Sequence, residues 1–312
     1  MPRWGHRAAG LSPSDATGVG CPAAGAWDHE GVRTVCARAA ARAALTASLL
    51  LVLASCSGGS PSGAGSAGPV SREYRPGLEA YPHVPDGVDS APVVVMVPGG
   101  GWVSADPTGL GPLADALSGA GIVAVPVTIR AAEDGVTYPV PVEDVLCALA
   151  AGAAASAEAG VEPTALVLLG HSSGAHLSAV AALAPDTVAP TCEDPLVEAD
   201  ALVGLAGPYD VRAFSDGVEV LVGTTPEDDP DTWALADPLL LADRRPELPV
   251  LLVHGDADGV VPVEATRAFA AALEAGGHDT TVDVVPGADH ESVYSAEVAG
   301  PLVTDWVLGL AG

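Results

Sequence analysis

The chain has 312 residues, with 40 Asp and Glu against 12 Arg, a formal net charge of −28, and no Lys, Asn or Gln at all. Without Lys there is no Walker-type phosphate loop and no pyridoxal Schiff base. Without amide side chains no Asn or Gln serves as an oxyanion donor, and this much negative charge disfavours nucleic-acid backbones as partners.

Residues 1–31 show no sustained periodicity. Arg33, Arg38 and Arg42 then precede an uncharged apolar run, Ala43 to Ala54, too short to cross a bilayer but of signal-peptide length. The run ends in Leu53-Ala54-Ser55-Cys56, which resembles a bacterial lipobox, where the cysteine is lipidated and becomes the mature N-terminus. Residues 57–69 form a Gly/Ser-rich stretch that reads as a flexible tether. The expectation is a leader over 1–55, a tether over 56–70, a lipid anchor at Cys56 and an extracytoplasmic location on the bacterial membrane. The unusual length ahead of the arginines points to Val32 as the translation start. Gly63, Gly65 and Gly68 have dinucleotide-binding spacing, but no strand precedes them and no helix pattern follows, so that reading fails. From Cys56 onward, 7 Arg and 37 acidic residues remain, on a length that suits one domain with a substantial core.

From residue 90 the chain alternates. Apolar runs at Val93–Val97, Ile122–Ile129, Ala165–Leu169, Ala201–Leu205, Val250–His254 and Val282–Val285 read as buried parallel strands. Helical spacing follows at Pro112–Ala120, Val142–Ala159, Leu177–Ala184, Val263–Glu274 and Val298–Leu310. This predicts an α/β domain over 71–312, a mostly parallel sheet flanked by helices. Residues 208–249 break the rhythm with six prolines and the acidic cluster Glu227–Asp231, and read either as a lid or as a decorated surface loop. The acidic cluster lacks the glycine and ligand spacing of an EF-hand, so solvated charge is expected there, with no metal and no cofactor. Cys147 and Cys192 read as a disulfide or as two buried thiols.

The chemistry is expected at strand ends. Leu169-Gly170-His171-Ser172-Ser173-Gly174 follows an apolar strand and opens a helix, the setting of a G-x-S-x-G nucleophile elbow. Ser172 is the central residue, Ser173 places its N–H at the helix start, and His171 is read as structural or substrate-lining. Pro98-Gly99-Gly100-Gly101-Trp102 follows the first strand and leaves backbone N–H groups free to face an oxyanion.

At this point the chain resembles the α/β-hydrolases of the esterase/lipase type, in the hormone-sensitive-lipase-like and kynurenine-formamidase-like branches. Those enzymes carry H-G-G-G-W where this chain has Pro98 to Trp102, so Pro98 departs from the family pattern. The resemblance implies oxyanion donors at Gly100, Gly101 and Ser173 and a triad in the order Ser, acid, His. His254-Gly255-Asp256-Ala257-Asp258-Gly259-Val260-Val261-Pro262 resembles the family's acid segment and places the triad acid at Asp258, with Asp256 as competitor. Pro286-Gly287-Ala288-Asp289-His290 places the general base at His290. Ala206-Gly207-Pro208-Tyr209-Asp210 resembles a segment at the site mouth, so Tyr209 and Trp102 are candidate acyl-pocket residues or plain packing. The implied function is a serine hydrolase acting on small to medium carboxylic esters. An arylformamidase or peptidase-type amide hydrolase is the alternative, as is a catalytically silent surface binding protein.

Overall fold

The computed structural model describes residues 71–310; the leader, the tether and Cys56 lie outside them. The described chain opens with an antiparallel hairpin, β1 (Arg72–Arg75) and β2 (Leu78–Ala80). Strands of four and three residues are too short to carry a periodic signal, which is why the sequence pattern misses them.

The six expected apolar runs become β3 (Ser90–Val97), β4 (Val123–Pro126), β5 (Glu162–His171), β6 (Ala201–Leu205), β7 (Val250–Gly255) and β8 (Thr280–Val285). They form one parallel sheet in the order β4-β3-β5-β6-β7-β8. The run 122–129 yields only four strand residues. Pro126 has no N–H to donate, and although Val127 still donates to Met96, the Thr128 N–H turns to the Glu79 carbonyl.

Burial on both faces explains the solid apolar runs. Val93, Val95 and Val97 point into a cluster beneath α2 (Val140–Glu158), α3 (Ser173–Leu183) and α7 (Val263–Gly276). Val94 and Met96 point the other way, beneath α1 (Gly111–Gly119) and α8 (Ala299–Gly309). Each such side chain contributes about 1.5–3 kcal/mol by leaving water. α2 is long and apolar enough to cross a bilayer, yet it covers β3 and β5 and is largely buried in the fold.

Residues 208–249 contain three short helices, α4 (Ser215–Val222), α5 (Pro230–Leu235) and α6 (Pro238–Leu241). They are packed down rather than decorative: Trp233, Val218 and Leu221 are buried with the main cluster. Two further ties anchor the α2 side. Buried Asp144 accepts hydrogen bonds from Arg75 and, through both side-chain and backbone donors, from Arg130. Cys147 on α2 is disulfide-bonded to Cys192 in the segment before β6, beside a two-pronged Arg72–Asp194 ion pair.

The strand order reverses at β3, with β4 on one side and β5 on the other. Open parallel sheets bind ligands outside the carboxyl ends of the strands at such a reversal. The loops that leave β3, β5, β7 and β8 there are the ones that carry the four motifs.

Candidate active site

Ser172 sits between β5 and α3 with φ 52 and ψ −125. A side chain in this left-handed region costs about 1–3 kcal/mol and persists only where the surroundings enforce it. Here the Ser172 N–H donates to Leu205 on β6 (2.9 Å), and the Ser172 carbonyl accepts from Ala175 and His176 as α3 begins. Gly174 allows the first turn of α3 to close on the end of β3, since a Cβ there would overlap the Val97 and Pro98 carbonyl oxygens.

Three loops converge on Ser172 Oγ. It donates to His290 Nε2 at 3.0 Å, and His290 Nδ1–H donates to Asp258 Oδ2 at 2.8 Å. The other Asp258 oxygen accepts the Val260 and Val261 N–H groups, both at 2.8 Å. Burial opposes ionisation of Asp258, but the His290 bond and these two backbone donors outweigh it and hold the carboxyl below its ordinary range. His254 supports the same carboxylate from behind: its Nε2 lies 2.9 Å from the Val261 carbonyl and 3.2 Å from Asp258, while Thr266 bonds its Nδ1. Asp256, the competitor, is exposed and accepts from the Gly287 N–H at 2.6 Å, away from His290.

The Gly-rich loop closes the opposite wall. Gly100 has φ 147, and any Cβ there would overlap the Ser104 carbonyl oxygen, so only glycine fits. The N–H groups of Gly100, Gly101 and Ser173 donate to no backbone acceptor among the described residues. Gly100 and Gly101 border a cavity of about 350 Å³ that also contains Ser172 and His290, and Ser173 follows Ser172 directly at the start of α3. Backbone donors beside a serine hydroxyl paired with an imidazole are the arrangement that acyl transfer needs.

His171 lines this cavity and braces it. Its Nε2–H donates to the His290 carbonyl at 2.9 Å, and its ring packs on Tyr294. Burial, with the nearby His290 charge adding to it, lowers its pKa to about 4. Tyr294, Glu291 and Asp106 complete the rim, and the Tyr294 hydroxyl donates to Glu291 at 2.9 Å. Glu291 ends the segment that carries His290, but the sequence pattern assigns it no role; Asp106 and Tyr294 belong to no motif, and only proximity to His290 in sequence could have flagged Tyr294.

Two expected pocket residues lie elsewhere. Trp102, at φ 61, turns its ring into the fold, where its Nε1–H donates to His176 Nδ1 at 3.1 Å; it does not line the Ser172 cavity. His176 in turn donates to the Ala236 carbonyl of the 208–249 segment at 2.7 Å. Tyr209 is fully buried, stacked on Phe269 of α7 with ring centroids 4.2 Å apart. Gly204 and Gly207 leave the room its ring occupies. The 208–249 segment contributes no residue to the Ser172 cavity.

The BD-FAE family model matches residues 82–273, which takes in both the Gly-rich loop and the elbow. The chain belongs to the BD-FAE family. This BD-FAE member is 28% identical to the esterase LipQ of Mycobacterium tuberculosis over 78% of the chain and 60% of LipQ. It is 33% identical to the esterase LipC of the same organism over 64% of the chain and 53% of LipC. The chain thus spans only about half to three-fifths of the length of these relatives. Among solved structures it resembles esterase 2 of the planctomycete Thermogutta terrifontis. The propionate-bound form superposes with a TM-score of 0.65 at 24% identity, over 78% of this chain and 95% of that one. A form phosphoramylated by tabun gives 0.62 at 26%, over 78% and 92%. The fold is that of an α/β-hydrolase.

Proposed function

We propose that this protein is a serine carboxylesterase that cleaves small to medium esters through an acyl-enzyme. The observation that carries the reading is the hydrogen-bonded series Ser172–His290–Asp258, at 3.0 and 2.8 Å, facing a cavity bordered by free backbone N–H groups. Ser172 Oγ adds to the ester carbonyl carbon as His290 Nε2 takes its proton. The oxyanion is received by the N–H groups of Gly100, Gly101 and Ser173. Asp258 keeps Nδ1 protonated and stabilises the imidazolium. His290 then protonates the departing alcohol oxygen. Water, deprotonated by His290, adds to the acyl carbon, and Ser172 leaves with its proton restored. Likeness to mycobacterial and planctomycete esterases supports an ester over an amide.

The test is a fluorophosphonate probe with mass spectrometry, alongside hydrolysis of p-nitrophenyl butyrate. The probe is expected on Ser172, and Ser172→Ala is expected to lower turnover by about 10⁴-fold or more. Equal turnover by both proteins would overturn the reading. The proposal extends to location: lipidation of Cys56 would hold the enzyme on the extracytoplasmic face of the cell membrane, and Cys56→Ser should release it from the membrane. Retention of that variant in the membrane fraction would count against the anchor.

A further inference from the structure

Beside the 350 Å³ reactive cavity lies a second cleft of about 490 Å³. One short turn separates the two. Asp106 and Gly109 face the reactive cavity, while Ala105, Asp106, Pro107 and Thr108 line the cleft, so Asp106 borders both. The turn is pinned, because the Asp106 carboxylate accepts from the backbone N–H and the hydroxyl of Thr108.

The far walls, from Tyr81, His83, Thr128 and Glu133, are equally fixed. His83 pairs with Ala124 through both backbone groups, at 2.8 and 3.1 Å, and the Tyr81 N–H donates to Pro126 at 2.9 Å. The His83 ring is held by Asp115 at 2.8 Å. The turn bearing Glu133 is tied to the Gly-rich loop itself: Ala132 donates to the Trp102 carbonyl at 3.1 Å and Glu133 to Val103 at 3.0 Å. The cleft and the oxyanion loop are therefore parts of one rigid assembly. Preformed, mostly apolar clefts of about 300–1,000 Å³ are the usual form of small-molecule sites. The lining offers ring faces, proline edges and hydroxyls; its carboxylates are Asp106 and Glu133, and no Arg lines it. Such a surface accepts an apolar-faced group and repels an anion.

We propose that this cleft is a subsite for the bulky end of an ester whose scissile bond lies at Ser172, taking a large apolar-faced group and rejecting an anionic one. The proposal rests on the esterase reading above. The bulky group belongs either to the alcohol or to the acyl side, and matched substrates separate the two: 2-cyclohexylethyl acetate and ethyl 3-cyclohexylpropanoate, each against ethyl acetate. kcat/KM is measured by pH-stat for wild type, Thr108→Trp, which fills the cleft from an exposed position, and Leu196→Trp, a control on the distant 188–199 segment. In one of the two series the bulky-to-short ratio is expected to fall about tenfold in Thr108→Trp, mainly through KM, and to hold in Leu196→Trp. The ring-carboxylated analogue of the responding ester should be a several-fold poorer substrate than its parent, with Glu133→Gln narrowing the gap. An unchanged ratio in both series, or equal turnover of the carboxylated analogue, overturns the subsite. Failure of wild type to hydrolyse ethyl acetate overturns the esterase reading itself.

Discussion

Two carboxylates stand at the end of β7, and only one meets His290. Asp258 is bonded to it at 2.8 Å, while Asp256 serves the Gly287 turn. Asp258→Asn is therefore expected to lower kcat about 10³–10⁴-fold by upsetting the His290 tautomer, with little change in KM, whereas Asp256→Asn keeps most of the activity. Steady-state kinetics on a short ester decides it; the reverse ranking would assign the acid to Asp256. Tyr209 makes a different kind of prediction. Its hydroxyl is buried without a protein partner, so removing it costs no hydrogen bond. Tyr209→Phe should leave stability unchanged or raise it by about 1 kcal/mol, while Tyr209→Ala, which empties the stack on Phe269, should cost about 3–5 kcal/mol. Urea denaturation measures both. These residues also mark the limit of sequence reading. Ser172 was legible because a motif, a strand before it and a helix after it agree. Trp102 and Tyr209 sit next to motifs too, but whether an aromatic ring faces the cavity or the core depends on side-chain direction. Asp106 reaches the site only through the fold.

At the scale of elements, periodicity served long segments and failed short ones. The apolar run Val93–Val97 of β3 and the helical spacing Val263–Glu274 of α7 announce themselves, while β1, β2 and the 208–249 helices, six residues or shorter apart from α4, do not. The proline-rich segment could be read as a lid or a loop because neither proline content nor acidity reports packing. What settles its place is Trp233 in the core and the hydrogen bond from His176 to Ala236. The segment before β6 has little regular structure and is held to α2 by the Cys147–Cys192 bridge across 45 residues of chain. A closed loop of this size restricts the unfolded chain, so Cys147→Ser combined with Cys192→Ser should lower stability by about 2–4 kcal/mol. Because the bridge lies on the α2 side and neither cysteine lines the Ser172 cavity, kcat on a short ester should survive. A loss of activity in protein that remains folded would show that the bridge also positions the elbow.

Over the whole molecule, alternating strands and helices made the sheet legible, but net charge alone does not forecast the response to pH; buried groups decide much of it. Burial lowers His171 and His176 to about 4. Each favours the folded state above its unfolded value near 6.5 and loses that contribution as pH falls toward 4. Asp237, which caps α6 through the Leu239 N–H, runs the opposite way. Burial first, and then the nearby Asp210 charge, raise its pKa from 3.8 to about 6. A raised acid contributes stability that is fully present below 3.8 and is lost as pH rises through about 6. Between pH 6 and 4, then, the two histidines leave the unfolded chain with up to two extra protons, and Asp237 returns one to the folded side. Asp237→Asn keeps an N-cap while removing the titration. The stability of this variant relative to wild type should therefore rise between pH 4 and pH 7, by about 1–2 kcal/mol after solvent screening of a partly buried group. The difference between two proteins at each pH cancels the repulsion common to both acidic chains. Urea midpoints across pH 4–7 read it directly, and a difference that stays flat with pH would mean that Asp237 titrates as an ordinary carboxylate.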